Sequence, residues 1–186
     1  MSVLIERRTF NTAEYYRMVE AGILSEDDHT ELIEGEVIRM SPIGSRHAAC
    51  VDRLNTLLHG RVGQAAIIRV QNPLHLNDFS EPQPDVALLK PRADFYSGAH
   101  PGADDVLLIV EVADSSVGYD RAVKVPLYAR AGIPEVWLVD LVRNEIEIYR
   151  QPAAGSYAEL TRAGRGREFA SAQIPSLTLR ADDILI

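Results

Sequence analysis

Val106-Leu107-Leu108-Ile109-Val110-Glu111-Val112-Ala113 is an apolar run of strand length interrupted by one carboxylate. A strand this apolar is normally covered on both faces, as the centre of a sheet is. Burying an unpaired carboxylate there costs several kcal/mol, so Glu111 needs a partner or a task. A second acid is placed in the same way: Pro84-Asp85 opens the apolar run Val86-Ala87-Leu88-Leu89. Lys124 follows in a segment with helical character. The chain holds seventeen arginines against only two lysines, Lys90 and Lys124. Lysine is a compact, tunable point charge where arginine is a fixed fork, which makes a retained lysine informative. Lys90 closes a strand and reads as a solvated end, while Lys124 falls where a catalytic lysine could sit.

Working outward from these strands, Asn11 or Thr12 caps a helix running to about Ala21, with Gly22 as its stop. Thr30–Ile33 and Glu36–Met40 read as short strands turning at Glu34-Gly35, and Ser45 caps a helix with Ala48, Val51, Leu54 and Leu58 at helical spacing. Ala65–Val70, continuing to Leu76, reads as a strand, and Asp85–Leu89 as the next. Residues 90–105 read as a long loop. Asp120–Ala131 looks helical, although Pro126 must kink it or delay its start. Glu135–Asp140 reads as a buried strand and Glu145–Tyr149 as a strand with one wet face. From Gln151 the chain reads as a polar loop with Arg162, Arg165 and Arg167, then a closing segment, Ile174–Ile186. The expected fold is α/β, an αβββαβ core in a central mixed sheet flanked by helices, preceded by a helix and hairpin. One domain is expected over 1–186, with the core at about 45–150, the helix and hairpin in 1–44, and an extension over 151–186.

Composition narrows the function classes. No stretch approaches the roughly 18 apolar residues of a membrane span and the N-terminus shows no apolar signal core, so a cytoplasmic location is expected. Cys50 is the single cysteine, which excludes an internal disulfide or a cysteine-built zinc site. The net charge of −8 counts against tight, sequence-independent binding of nucleic acid. The charge is uneven, however: residues 41–71 carry Arg46, Arg53, Arg61 and Arg69 against Asp52 alone, which allows a locally basic face.

Several segments together carry a family resemblance. They are Glu31-Leu32-Ile33-Glu34-Gly35-Glu36, Met40-Ser41-Pro42, His47, Glu81-Pro82-Gln83-Pro84-Asp85 and Ile109-Val110-Glu111-Val112-Ala113-Asp114-Ser115-Ser116. Asp120 with Lys124, Tyr128 and Gly132-Ile133-Pro134-Glu135-Val136-Trp137-Leu138-Val139-Asp140 complete the set. In order and spacing the chain resembles the Uma-type putative restriction endonuclease family, within the PD-(D/E)XK nuclease superfamily. The resemblance implies that Asp85 and Glu111 are the two acidic elements on neighbouring strands. The lysine expected two residues after the acid is absent, since that position is Ala113, and Lys124 on the following helix is its implied substitute. Glu31 is the implied additional acid from the hairpin.

Two carboxylates with a backbone carbonyl, that of Val112, would make an all-oxygen site suited to Mg²⁺ or Mn²⁺. Asp85, Glu111, Lys124 and Glu31 are therefore the expected catalytic residues, and the expected reaction is hydrolysis of a phosphodiester in DNA. A homodimer is expected by superfamily analogy, because two sites cut two strands. Plainer readings stand beside these. Asp85 could merely start a strand, and Glu111 could form a structural ion pair with Lys124 or Arg121. Asp120 and Lys124, four apart, could pair on a helix surface. His47, in the first turn of its helix, faces either solvent or the cleft. Ser115 and Ser116 read as helix caps. The alternative function is a nuclease-like fold serving as a non-catalytic binding module.

Overall fold

The computed structural model describes residues 7–186, so the reading of the extreme N-terminus falls outside the described residues for positions 1–6. The first helix, α1 (Thr12–Glu20), starts with a complete capping box. The Asn11 side chain accepts from the Glu14 N–H at 2.8 Å and the Glu14 carboxylate accepts from the Asn11 N–H at 3.1 Å. Two otherwise orphaned donors are thereby satisfied. Asn11→Ala is expected to cost about 1 kcal/mol of stability, read as a lower urea midpoint at an unchanged slope.

The hairpin follows as β1 (Thr30–Ile33) and β2 (Glu36–Arg39). Its turn has Glu34 at φ +51° and Gly35 at φ +82°. A Cβ on Gly35 would lie 2.5 Å from Thr9, so glycine is required there by space as well as by backbone conformation. Helix α2 (Ser45–Val62) buries Cys50, Val51, Leu54, Leu58 and Val62 along one stripe. Its cap is Gly44 and not Ser45, with Ser45 already the first helical residue.

Six strands form the main sheet: β3 (Ile67–Val70), β4 (Val86–Leu89), β5 (Val106–Ala113), β6 (Glu135–Asp140), β7 (Glu145–Ala153) and β8 (Ser156–Gly164). They lie in sequence order, with β5 and β6 parallel and the other neighbours antiparallel. This is the expected mixed α/β arrangement, with β5 inside the sheet. Between β5 and β6 the chain crosses over through α3 (Val117–Tyr119), a π-helical turn (Asp120–Lys124) and α4 (Val125–Arg130). A small pair, β9 (Glu168–Ala170) with β10 (Thr178–Arg180), and α5 (Ala181–Ile184) complete the chain. One face of the sheet packs Val86, Leu88, Val110 and Trp137 under α2 and α5. The opposite face packs Ala87, Leu89, Ile109 and Leu138 against Val125 and Tyr128 of α4. Among the described residues no helix is long and apolar enough to cross a membrane.

Four local expectations are corrected. The first sheet strand ends at Val70 and does not continue to Leu76, because Gln71 takes φ +52° and Pro73 has no N–H to give a ladder. The segment from Gln151 is not a loop: β7 runs to Ala153, turns at Ala154-Gly155 (φ +48° and +80°), and pairs with β8. Strand β8 is an edge strand, mostly exposed, so it needs no apolar alternation to hold its place. Glu147 does not face water. It is fully buried, accepting from Arg121, Arg162 and the Tyr149 hydroxyl at 3.0, 3.1 and 2.6 Å. Finally, Pro126 does not simply kink a helix. It follows a π turn in which the Val125 N–H bonds back to the Asp120 carbonyl, and this wide turn precedes the residue that has no donor.

Candidate active site

Strands β4 and β5 bring the two acids together. Their register sets Val86 against Val110, and its continuation brings Asp85 opposite Glu111 on the same face of the sheet. The Asp85 N–H donates to Glu111 Oε2 at 3.3 Å, and the Val112 N–H donates to Asp85 Oδ2 at 2.8 Å. Glu31 arrives from the hairpin. The segment before Asp85 bridges β1 at Leu32 and Glu81, and the Gln83 N–H donates to Glu31 Oε2 at 3.1 Å. Thus one stretch, Glu81–Asp85, holds two of the three acids in place.

Lys124 enters from the π turn and lies 3.2 Å from Glu31 and 3.3 Å from Glu111. Glu31, Glu111, Asp120 and Lys124 are only 2%, 2%, 5% and 6% exposed. Asp120 and Lys124 therefore do not form a helix-surface pair; the π turn buries both. Asp120 accepts from the Ser116 hydroxyl at 2.6 Å, so Ser116 serves that carboxylate and makes no side-chain cap on α3. Tyr128 of α4, fully buried, donates to Glu111 Oε1 at 2.5 Å.

The electrostatics of this cluster are unbalanced. Four carboxyl groups, on Glu31, Asp85, Glu111 and Asp120, surround a single ammonium. Burial raises Glu111 above the usual carboxylate range; Lys124 opposes that shift, while Asp85 and Asp120 reinforce it. Burial likewise raises Asp120. For Lys124 burial alone would lower the pKa, but Glu111, Glu31, Asp120 and Asp85 together push it well above its ordinary value. The two directions agree physically: one lysine among four acids is held charged, and the enclosed Glu111 holds a proton more tightly than a free carboxyl does.

Three buried acids elsewhere in the fold, Glu135, Asp140 and Glu147, are matched by arginine. Glu135 pairs with Arg150 at 2.9 Å, and Arg121 pairs with both Asp140 and Glu147. Arg121 is thus committed to those two acids and is not the partner of Glu111. Arg162 is on β8, paired with Glu147 at 3.1 Å, and Arg165 lies 3.9 Å from Asp182.

His47, in the first turn of α2, faces the cleft. Its Nε2 lies 3.0 Å from Asp85 Oδ2, and that contact raises its pKa against the opposing effect of burial. Its Nδ1 is buried with no hydrogen-bond partner among the described residues. The Tyr119 hydroxyl, immediately before Asp120, is likewise buried and unpartnered among the described residues. Burial, with Glu31 nearby, pushes that hydroxyl up to about 12, so it is a hydrogen-bond donor at neutral pH. Sequence reasoning assigned no role to Tyr119; the one available signal was Pro126, which makes a regular helical register upstream of it untenable.

Among the described residues no three His, Cys, Asp and Glu side chains are arranged as a ready-made metal cage. Mg²⁺ does not require one: it keeps several waters and is commonly held by one or two carboxylates. The all-oxygen pair of Asp85 and Glu111, in a cluster with surplus negative charge, fits such an ion.

The matching known proteins are consistent with this fold. Residues 12–182 match the family Uma2, described as putative restriction endonuclease. The structure is similar to a crystal structure of a putative nuclease belonging to DUF820 from Anabaena variabilis. The TM-score is 0.75 at 16% sequence identity, covering 94% of this chain and 97% of that one. A comparison with curated proteins finds no match.

Proposed function

Because the chain belongs to the Uma2 family of putative restriction endonucleases, we propose that it is a divalent-metal-dependent endonuclease hydrolysing phosphodiester bonds in DNA. The observation that carries this reading is Glu111, placed between Lys124 at 3.3 Å and the Asp85 backbone at 3.3 Å on a neighbouring strand.

Asp85 and Glu111, with the Val112 carbonyl, would hold Mg²⁺ or Mn²⁺. Such an ion supplies neutralisation of a phosphate oxygen and makes water a better nucleophile at neutral pH. Glu31 fixes the Lys124 ammonium in place, and the surrounding acids keep it protonated. Lys124 is then a donor and fixed positive charge aimed at the phosphate, worth most in a site from which water is largely excluded. His47 and the Val112 N–H both fix Asp85 Oδ2, leaving Oδ1 the freer oxygen, with only Gln71 nearby at 3.3 Å.

The test is incubation with supercoiled plasmid and with single-stranded DNA in Mg²⁺ or Mn²⁺. Cleavage that a chelator abolishes is the expected result. Cleavage that persists in chelator overturns the metal requirement. No cleavage with either ion, together with no divalent-ion binding by calorimetry, makes the chain a nuclease-like binding module instead.

A further inference from the structure

A row of paired positions crosses the sheet beneath the crossover. Glu111 on β5 lies beside Leu138 on β6, and Leu138 lies beside Glu147 on β7. Lateral neighbours share a face of the sheet, and Asp140, two residues beyond Leu138, shares it too. The row therefore has an acid at each end: Glu111 in the candidate site and Glu147 two strands away, roughly 10 Å apart. Above it, the π turn carries one cation for each end. Lys124 meets Glu31 and Glu111 at 3.2 and 3.3 Å, while Arg121 meets Glu147 and Asp140 at 3.0 and 3.2 Å.

On a regular α-helix, two side chains three residues apart point only about 60° from one another. Here the Val125 N–H bonds to the Asp120 carbonyl, five residues back, so each residue rotates the chain through a smaller angle. Arg121 and Lys124 are thereby splayed far enough to reach opposite ends of the row. The acids under Arg121 do not depend on it. Glu147 also accepts from Arg162 and the Tyr149 hydroxyl, and Asp140 Oδ1 accepts from the Val142 and Arg143 N–H groups. They are an anchor already fixed to the sheet, and Arg121 ties the turn to it.

We propose that Arg121 is a positioning residue, whose grip on Glu147 and Asp140 sets the π turn and through it the Lys124 ammonium in the candidate site. This rests on the nuclease reading above and deepens it, adding a residue that acts on the phosphate only through Lys124. A lysine stem is flexible, so fixing the backbone from which it springs limits where its charge can go. Catalysis by a fixed charge is sensitive to such placement.

The test uses the full chain and its two lysines, buried Lys124 and exposed Lys90. Acetylation of the native protein, read peptide by peptide in a mass spectrometer, reports Lys124 with Lys90 as its internal reference. Arg121→Met should speed labelling of Lys124 roughly ten-fold and leave Lys90 unchanged. Asp140→Asn keeps the bonds to Oδ1 and alters only the oxygen facing Arg121, so it should act in the same direction more weakly. The rise should be insensitive to urea well below the unfolding midpoint, because a local opening exposes little surface. In plasmid cleavage with Mn²⁺, Arg121→Met should lower kcat about a hundred-fold at unchanged KM, and Arg121→Lys should recover part of it. A labelling rise that steepens with urea is global unfolding; it makes Arg121 merely structural and overturns the proposal. Wild-type labelling and kcat in Arg121→Met also overturn it, and leave the nuclease reading standing if the wild type cleaves. Selective loosening of Lys124 in a protein that cleaves nothing keeps the clamp and sinks the nuclease.

Discussion

Replacing Lys124 with methionine is expected to destabilise the metal-free protein by about 3–5 kcal/mol at neutral pH, the usual consequence of removing one partner from a buried ion pair. Lys124 is the one ammonium facing Glu31 at 3.2 Å and Glu111 at 3.3 Å, and Asp120 is buried in the same cluster. Methionine keeps the length and apolar stem, so packing is nearly conserved and the loss is electrostatic. The pH dependence follows from the direction of the shifts. Glu111 and Asp120 both have folded pKa values above their ordinary 4.5 and 3.8. A carboxyl with a raised folded value binds its proton more tightly when folded. Its penalty is therefore absent below the unfolded value, grows as pH rises from the unfolded value to the folded one, and levels off above it. Lys124 is what restrains the Glu111 shift, so without it the penalty deepens. The variant should approach wild-type stability near about pH 4 and fall furthest behind above about pH 7. Urea titrations followed by the fluorescence of Trp137, the only tryptophan and fully buried, measure both ends. A deficit that does not change with pH would mean that Lys124 contributes packing alone.

The parts of this fold that were readable in the sequence are those where an energetic rule left one answer. An apolar run of strand length such as Val106–Ala113 reads best as a buried central strand, and Glu111 inside it needs a partner or a task; the structure supplies Lys124 and Tyr128. The spacing of Val51, Leu54 and Leu58 fixed the buried stripe of α2 in the same way. Strand β8 was not readable, because an edge strand is held by its backbone ladder to β7 and its side chains need no pattern. Glu147 was misread because alternation reports which residues share a face, not whether that face is wet; Arg121 and Arg162 cover it from elements distant in sequence. His47 could not be oriented from periodicity alone, since a first-turn residue is set by how its helix lands on the sheet. Tyr119 was missed for a related reason. The π turn shifts the helical register, so the faces deduced from a regular helix do not hold between Asp120 and Lys124.

Asp85→Asn separates a catalytic acid from a structural one more cleanly than a truncation would. In the wild type Oδ2 is occupied by the Val112 N–H at 2.8 Å and by His47 at 3.0 Å, while Oδ1 meets only the Gln71 amide at 3.3 Å. An asparagine oxygen can accept from Val112 and His47 as before. Its amide nitrogen then falls beside Gln71, whose own amide can turn to accept. The hydrogen bonds that hold β4 against β5 are kept, and one negative charge leaves a cluster where it had raised Glu111. Metal-free stability should therefore change little, the relief of Glu111 offsetting a weaker hold on His47. The cation site loses half of its carboxylate charge. For the wild type, a divalent ion at 100 times its Kd is expected to add about 2.7 kcal/mol of stability, and for Asp85→Asn almost none. Removing several kcal/mol of charge stabilisation from the reacting phosphate corresponds to a cleavage rate lower by on the order of 10³. Paired measurements decide the matter: thermal unfolding with and without Mn²⁺, and DNA cleavage under the same conditions. A variant that is destabilised without metal but still gains stability from Mn²⁺ and still cleaves would show that Asp85 only starts a strand. A variant that folds as well as the wild type, ignores Mn²⁺ and cannot cleave places its carboxylate on the metal.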